Sequence, residues 1–203
     1  MIKQAELKVG LLAITDCGEF VIAAAASLSH GKELQPEQII PKLIEMGHES
    51  VLEHASATFA IEGISRACSH QVVRHRICSF TQRSQRYCEV EPEFVVPETL
   101  TTEQTFQFLS ACNESYKDYL MLLEFGVARE DSRYLLPNAT ATELVMTANL
   151  REWRHFLKLR LDSHAQLEIR NLAYEILKEL HRVFPNCFND IWEQYSRSEG
   201  DQS

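Results

Sequence analysis

Hydrophobic and polar positions change period several times along this chain, and each change marks an element. Lys8 to Thr15 (KVGLLAIT) reads as a strand, and the alanine-rich run Glu19 to Leu28 as a helix. Pro36 to Met46 places Ile39, Ile40, Leu43 and Ile44 on one helical side and stops at Gly47, a helix-ending residue. Ser50 and Glu53 have the spacing of a capping box for a short helix. Ser56 to Glu62 alternates Ala57, Phe59 and Ile61 with Thr58, Ala60 and Glu62, the pattern of a strand between two environments. The period then switches. Ile64, Ala67, Cys68, Gln71, Val72 and His75 share a helical face, which predicts a helix over 64–76.

CEVEPEFVVP (88–97) reads as a further strand, Thr102 to Phe125 as a long amphipathic helix before Gly126, and 140–148 as a strand. A helix follows from Asn149 through Leu161, its apolar stripe made by Leu150, Trp153, Leu157 and Leu161. Ser163 and Gln166 have capping-box spacing for a last helix ending near Pro185. Strands are few and do not alternate regularly with helices. The expected class is mixed α/β of the α+β type, an antiparallel sheet packed with long helices, in one domain over 1–203.

Composition narrows the function. A chain of 203 residues with 45% hydrophobic content suffices for a substantial core, and 24% charged residues do not indicate disorder. No apolar run reaches the ~20 residues of a membrane span, and MIKQAELKVG lacks an export signal, so a cytoplasmic protein is expected. The six cysteines are scattered without a C-x-x-C pair and read as reduced thiols. No metal site is expected. GHESVLEH superficially resembles a zinc motif, but His48 and His54 are six apart and fall on different helical faces. A net charge of −9 argues against a general nucleic-acid binder.

Against that acidic background, RHRICSFTQRSQRY (74–87) gathers Arg74, His75, Arg76, Arg83 and Arg86. Like charges at this density need an anion among them: a nucleic-acid backbone, the protein's own carboxylates, or a small phosphorylated ligand. Arginine forks suit phosphate oxygens, and Ser84 and Gln85 add neutral donors. One arginine would be an ordinary surface ion pair. Four arginines and a histidine within thirteen residues favour a ligand site. A second basic group lies on the helix from Asn149, where Arg151 and His155 share a face and Arg160 sits at the edge of the apolar stripe, placed for partial burial.

RHR, seven residues, Ser84, then Arg86-Tyr87 resembles the signature of flavin-dependent thymidylate synthases. GHESVLEHASATF, GISRACSHQVV, Arg133 to Pro137, Asn149 to Arg151 and LRLDSHAQ (159–166) extend the resemblance in the family's order. The resemblance implies reductive methylation of dUMP to dTMP. Methylenetetrahydrofolate would supply carbon, NADPH would supply reducing equivalents, and FAD would be bound without a G-x-G-x-x-G fingerprint, in a homotetramer with active sites shared between subunits. It implies that Gln71, Val72, Val73 and Arg74, together with Gln82, Arg83, Ser84, Gln85 and Arg86, line dUMP. Ser84, Arg86 and Arg133 would hold the phosphate. FAD would be met by Ser50, Arg74, His75, Arg76, Gln82, Asn149, Leu150, Arg151 and His155. Arg160 matches the arginine that activates the uracil ring. Thr81 and Gln82 depart from the residues many relatives carry there.

Cys78 and Cys88 flank the arginines and invite a nucleophilic role, since nearby cations favour thiolate. Buried cysteine is also a common small core residue, and the family pattern requires neither. Ser84 has no matched base and orienter, so a phosphate-binding hydroxyl is the better reading. A nucleic-acid-binding helix and a nonenzymatic nucleotide-binding regulator remain rival classes.

Overall fold

The structure, a computed structural model, describes residues 3–196. Strand β1 (Lys3–Gln4) precedes β2 (Lys8–Ile14), helices α1 (Gly18–His30) and α2 (Pro36–Glu45), and a 3₁₀ helix at Glu49–His54. Strand β3 (Ser56–Ser65) leads into α3 (Arg66–Val72), β4 (Ser79–Gln82) and β5 (Glu93–Phe94). Next come α4 (Thr102–Glu124), α5 (Arg129–Ser132), a 3₁₀ turn at Arg133–Leu135 and β6 (Ala141–Asn149). The chain closes with α6 (Leu150–Arg160), α7 (Leu167–Val183) and α8 (Pro185–Ser196). Strands pair in the order β2-β3-β6-β4 as an open antiparallel sheet, and β1 pairs with β5 in parallel as a separate two-stranded ribbon. The expected α+β class with long helices is what forms.

Two compact units are distinguished, each assembled from separated stretches of sequence. One comprises 1–8, 61–74 and 80–145, and the other 9–60, 75–79 and 146–203. The first carries β1, α3, β5, α4 and α5. In it Gly63 stands at φ +72, where a Cβ would fall 1.9 Å from the Glu6 carbonyl oxygen, so only glycine permits the approach. Its long helix α4 starts from a complete capping box: Thr101 Oγ1 accepts from Gln104 N at 3.3 Å while Gln104 Oε1 accepts from Thr101 N at 2.9 Å.

The second unit carries most of the apolar core, including Ile22, Ile40, Leu52, Phe59, Trp153, Phe156, Ile176 and Phe188, each fully buried. Trp153 donates its indole N–H to the Ala57 carbonyl at 3.1 Å and meets Phe59 and Phe156 edge-on, with ring centroids 5.1 and 5.7 Å away. The stripe of Leu150, Trp153, Leu157 and Leu161 on α6 is buried as its spacing predicts. Arg154 on the same helix is completely buried as well. It forks onto both Asp190 oxygens at 2.7 Å and donates to the Cys187 carbonyl.

Several predicted elements are corrected. The helix over 64–76 is reduced to 66–72, because β3 runs through Ile64 and Ser65 and the Ser65 hydroxyl caps the helix by accepting from Cys68 N. The strand over 88–97 shrinks to Glu93–Phe94, flanked by Pro92 and Pro97, which carry no N–H for a ladder. Neither proposed capping box forms. Ser50 lies inside the 3₁₀ turn, whose capping position is His48, and Glu53 instead reaches Arg151. Ser163 lies in the loop before α7, which begins at Leu167. Pro185 does not simply end a helix; it opens α8, a helix absent from the sequence expectation.

Candidate active site

In the unit containing α6, the alternation that runs β6 ends at Asn149. Its side-chain oxygen accepts from Glu152 N at 2.9 Å, and this cap starts α6 and fixes the phase of its residues. Arg151 and His155 face outward, Glu152 and Phe156 inward, and Arg160 is half-buried in the last turn. The segment 75–79 returns to this helix. His75 is 4% exposed, its ring edge-on to Phe156 at 4.9 Å and to His155 at 5.8 Å.

The two His75 nitrogens have opposite neighbours. Nε2 receives the Arg160 Nε–H at 3.0 Å, and Nδ1 lies 3.4 Å from Glu152 Oε1. Arginine has only donors, so Nε2 must be the acceptor and the imidazole must be neutral. Burial, then the Arg160 and His155 charges, lower the His75 pKa to about 4, which agrees with that requirement. Glu152 Oε1 also accepts from Cys78 Sγ at 3.8 Å. Burial and the adjacent carboxylate push the Cys78 thiol up to about 12. His75, Glu152 and His155 bring donor atoms within 4.8 Å of one another, in a metal-like grouping. Arg160 already brings positive charge to that imidazole, which opposes a second cation.

Nearby on the same unit Arg151 pairs with Glu53 at 2.5 Å, both half-exposed. Leu150 is a core residue with its N–H bound to the Ala55 carbonyl, and the exposed Ser50 and Arg76 lie on the surface. Of the residues expected at the cofactor, the structure therefore brings His75 and His155 together, with Arg160 on the His75 ring.

The other unit holds the second part of the basic segment. Val72 is buried, Gln71 is half-buried, and Val73 and Arg74 are exposed after the end of α3. Gln82 Nε2 donates to Thr142 Oγ1 at 3.2 Å, and Arg83 meets Glu143 at 3.4 Å. Ser84 Oγ accepts from Arg86 N at 3.2 Å in a tight turn. The Arg86 guanidinium places Nε 2.8 Å and its terminal nitrogen 2.5 Å from Glu130 Oε2, and it lies 5.5 Å from the Tyr87 ring centroid. Arg133 Nε donates to the Glu130 carbonyl at 3.2 Å, so one short helix ties Arg86 and Arg133 together. Burial, then the charge of Arg133, lower the Arg66 pKa, so Arg66 adds positive charge near Arg133.

A cavity of about 540 Å³ in this unit is lined by Arg83, Ser84 and Gln85, with Lys3 and Lys8. Six glutamates (Glu6, Glu62, Glu89, Glu91, Glu93 and Glu143) also line it and make its wall net negative. An anion is therefore better met on the side of Ser84 that carries Arg86 and Arg133. Sequence reasoning missed Glu152, Glu130 and Arg66. Glu152 was detectable as a charge on the inward face of an amphipathic helix; the other two carry no local signal.

Residues 10–186 match the sequence profile of the thymidylate synthase complementing protein family. The chain belongs to the flavin-dependent thymidylate synthase family. A flavin-dependent thymidylate synthase of Geobacter sulfurreducens is 42% identical over 200 residues, 91% of this chain and 86% of that protein. That of Saccharolobus solfataricus is 42% identical over 196 residues, 90% of this chain and 75% of its own length. The Pyrococcus abyssi relative is 46% identical over 148 residues, 70% of this chain but only 61% of that protein. Among solved structures, a UMP/dUMP methylase, PolB from Streptomyces cacaoi, bound with 5-Br dUMP, superposes with a TM-score of 0.85 at 25% identity. That match covers 97% of this chain and 99% of the other.

Proposed function

We propose that this protein reductively methylates dUMP to dTMP, with methylenetetrahydrofolate as carbon donor, NADPH as reductant and FAD as resident cofactor. It would act as a homotetramer whose sites are shared between subunits. The observation that carries this reading is Arg160: a half-buried guanidinium whose Nε is held by a neutral, buried imidazole. Family membership and the bromo-dUMP-bound neighbour supply the substrate class.

Each group then has a task. Ser84, Arg86 and Arg133 would hold the dUMP phosphate by charge-assisted hydrogen bonds. Arg160 would stand by the uracil N3 and carbonyl oxygen and stabilise the negative charge gathered there, making C5 more nucleophilic. A donor of this kind is worth roughly 3–4 kcal/mol. No side-chain nucleophile is needed. Cys78 is buried and held protonated, its thiol donating to Glu152.

The residues fit an anionic dinucleotide. Arg74, Arg76 and Arg151 are exposed cations, and His155 presents an exposed ring beside His75. Together with Ser50 and Asn149 they would hold FAD, which when bound supplies redox capacity for the methyl transfer.

The test is direct. Purified protein is expected to show flavin absorption and to form dTMP from dUMP only when methylenetetrahydrofolate and a reduced nicotinamide are present. A colourless protein that forms no dTMP and binds DNA with steep salt dependence would overturn the reading in favour of a nucleic-acid binder.

A further inference from the structure

Glu152 is a carboxylate on the buried face of α6, 7% exposed, and the proposed reaction assigns it no task. Its Oε1 lies 3.4 Å from Nδ1 of His75 and 3.8 Å from Sγ of Cys78. A buried carboxylate needs donors: the Cys78 thiol gives one, and His75 Nδ1 stands within reach as another. The consequence lies on the far side of the imidazole. A neutral histidine has one N–H. If Nδ1 carries it toward Glu152, Nε2 is left with a lone pair, which accepts the Arg160 Nε–H at 3.0 Å. The opposite tautomer would set a lone pair against the carboxylate and an N–H against an N–H.

We propose that Glu152 is a positioning residue for Arg160: by standing at His75 Nδ1 it fixes the ring so that Nε2 receives Arg160 Nε–H and sets the plane of the guanidinium. The line Glu152–His75–Arg160 lies within one compact unit and on two neighbouring segments, 75–79 and α6. The Asn149 cap holds the Glu152 backbone, so the carboxylate starts from a fixed point. Phe156 packed against the His75 ring keeps the imidazole from swinging out of the line. The buried, protonated Cys78 thiol then serves as the carboxylate's second donor. The effect on catalysis rests on the reading of Arg160 as the ring-activating group.

The experiment uses the flavin-loaded enzyme labelled with ¹⁵N-arginine, in three forms: wild type, Glu152→Gln and Glu152→Leu. The Arg160 Nε–H signal is identified by its loss in Arg160→Lys. Its exchange with water and the single-turnover rate with dUMP and methylenetetrahydrofolate are measured together. Glu152→Gln keeps an oxygen for the Nδ1–H and is expected to stay within about threefold of wild type in both, a conservative rescue that a purely electrostatic role would not give. Glu152→Leu is expected to speed Nε–H exchange at least tenfold and slow turnover at least fivefold, with flavin content and dUMP KM unchanged.

Unaltered exchange in a folded Glu152→Leu protein would overturn the proposal. So would faster exchange with an unaltered rate, provided Arg160→Ala abolishes turnover. If Arg160→Ala itself turns over normally, the ring-activation reading fails, and the exchange result alone decides whether Glu152 orients Arg160. Should Glu152→Leu not fold, ¹⁵N-histidine spectra of the wild type decide: a proton found on Nε2 of His75 overturns the proposal, and one on Nδ1 upholds it.

Discussion

Arg86 offers the most informative perturbation, because its own ion pair sets what a phosphate would have to displace. Its guanidinium points two nitrogens at one Glu130 oxygen, at 2.8 and 2.5 Å, with both side chains 49% exposed. A phosphate arriving at Arg86 must compete with that carboxylate. Exposed ion pairs are worth about 0–1 kcal/mol, whereas a charge-assisted bond to an ionised ligand is worth about 1.5–3 kcal/mol. Arg86→Ala should therefore weaken dUMP binding by roughly tenfold to a hundredfold, with little change in flavin content. Glu130→Gln removes the competitor and should tighten dUMP binding by up to about fivefold, the factor that 1 kcal/mol allows. In the double variant the Glu130 effect should vanish, since the arginine it occupies is gone. Isothermal titration of dUMP into all four proteins closes the cycle. Weaker binding in Glu130→Gln would show that Glu130 aims Arg86 at the ligand and does not compete with it. Unchanged affinity in Arg86→Ala would remove Arg86 from the phosphate site.

Three further outcomes are expected. Cys78→Ser combined with Cys88→Ser should keep tritium release from C5-labelled dUMP within about threefold of wild type, since serine still donates to Glu152 and a thiol with a pKa of about 12 offers no thiolate. Arg160→Lys should cut single-turnover rates by about a hundredfold with flavin content unchanged, because lysine keeps the charge and loses the planar fork. Burial opposes ionisation of Asp190, but hydrogen bonds and charge from Arg154 overrule it and hold the carboxyl below its usual range. Such a group contributes stability above its unfolded pKa that is lost as pH falls through the folded one. Urea melts from pH 6 down to pH 3 should therefore show wild type losing stability that Asp190→Asn never had.

Much of the fold was legible where one periodicity ran uninterrupted. The alternation of Ala57, Phe59 and Ile61 and the stripe of Leu150, Trp153, Leu157 and Leu161 gave β3 and α6, since side-chain burial is what enforces those periods. Legibility failed where two elements share residues. Ile64 satisfies both the strand that ends at Ser65 and the helix that starts at Arg66, so helical spacing overran the boundary. It failed again at the capping boxes, because Ser50 with Glu53 and Ser163 with Gln166 have the right spacing but lie in segments set by tertiary contacts. The candidate site was legible as a chemical inventory but not as geometry. Spacing could place Arg160 at the edge of an apolar stripe; it could not bring His75, 85 residues away, to its Nε.

The excess of carboxylates in this chain and its dense basic segment are two parts of one arrangement. A site of the kind proposed, receiving phosphates, needs arginines whose own ion pairs are weak enough to exchange. Arg83 and Arg86 meet Glu143 and Glu130 in half-exposed pairs, which solvent screening keeps weak and replaceable. Arg154 shows the opposite case. Wholly buried, it forks onto the half-exposed Asp190 with the Cys187 carbonyl beside it, and losing that carboxylate would leave a buried charge with less to compensate it. Arg160 stands between these extremes: half-buried, with its Nε on an imidazole too weakly basic to take a proton. A neutral acceptor orients the guanidinium through Nε without itself setting a negative charge against it. A carboxylate in the position of His75 would set a negative charge against the guanidinium and so oppose the task proposed for Arg160 beside an electron-rich ring.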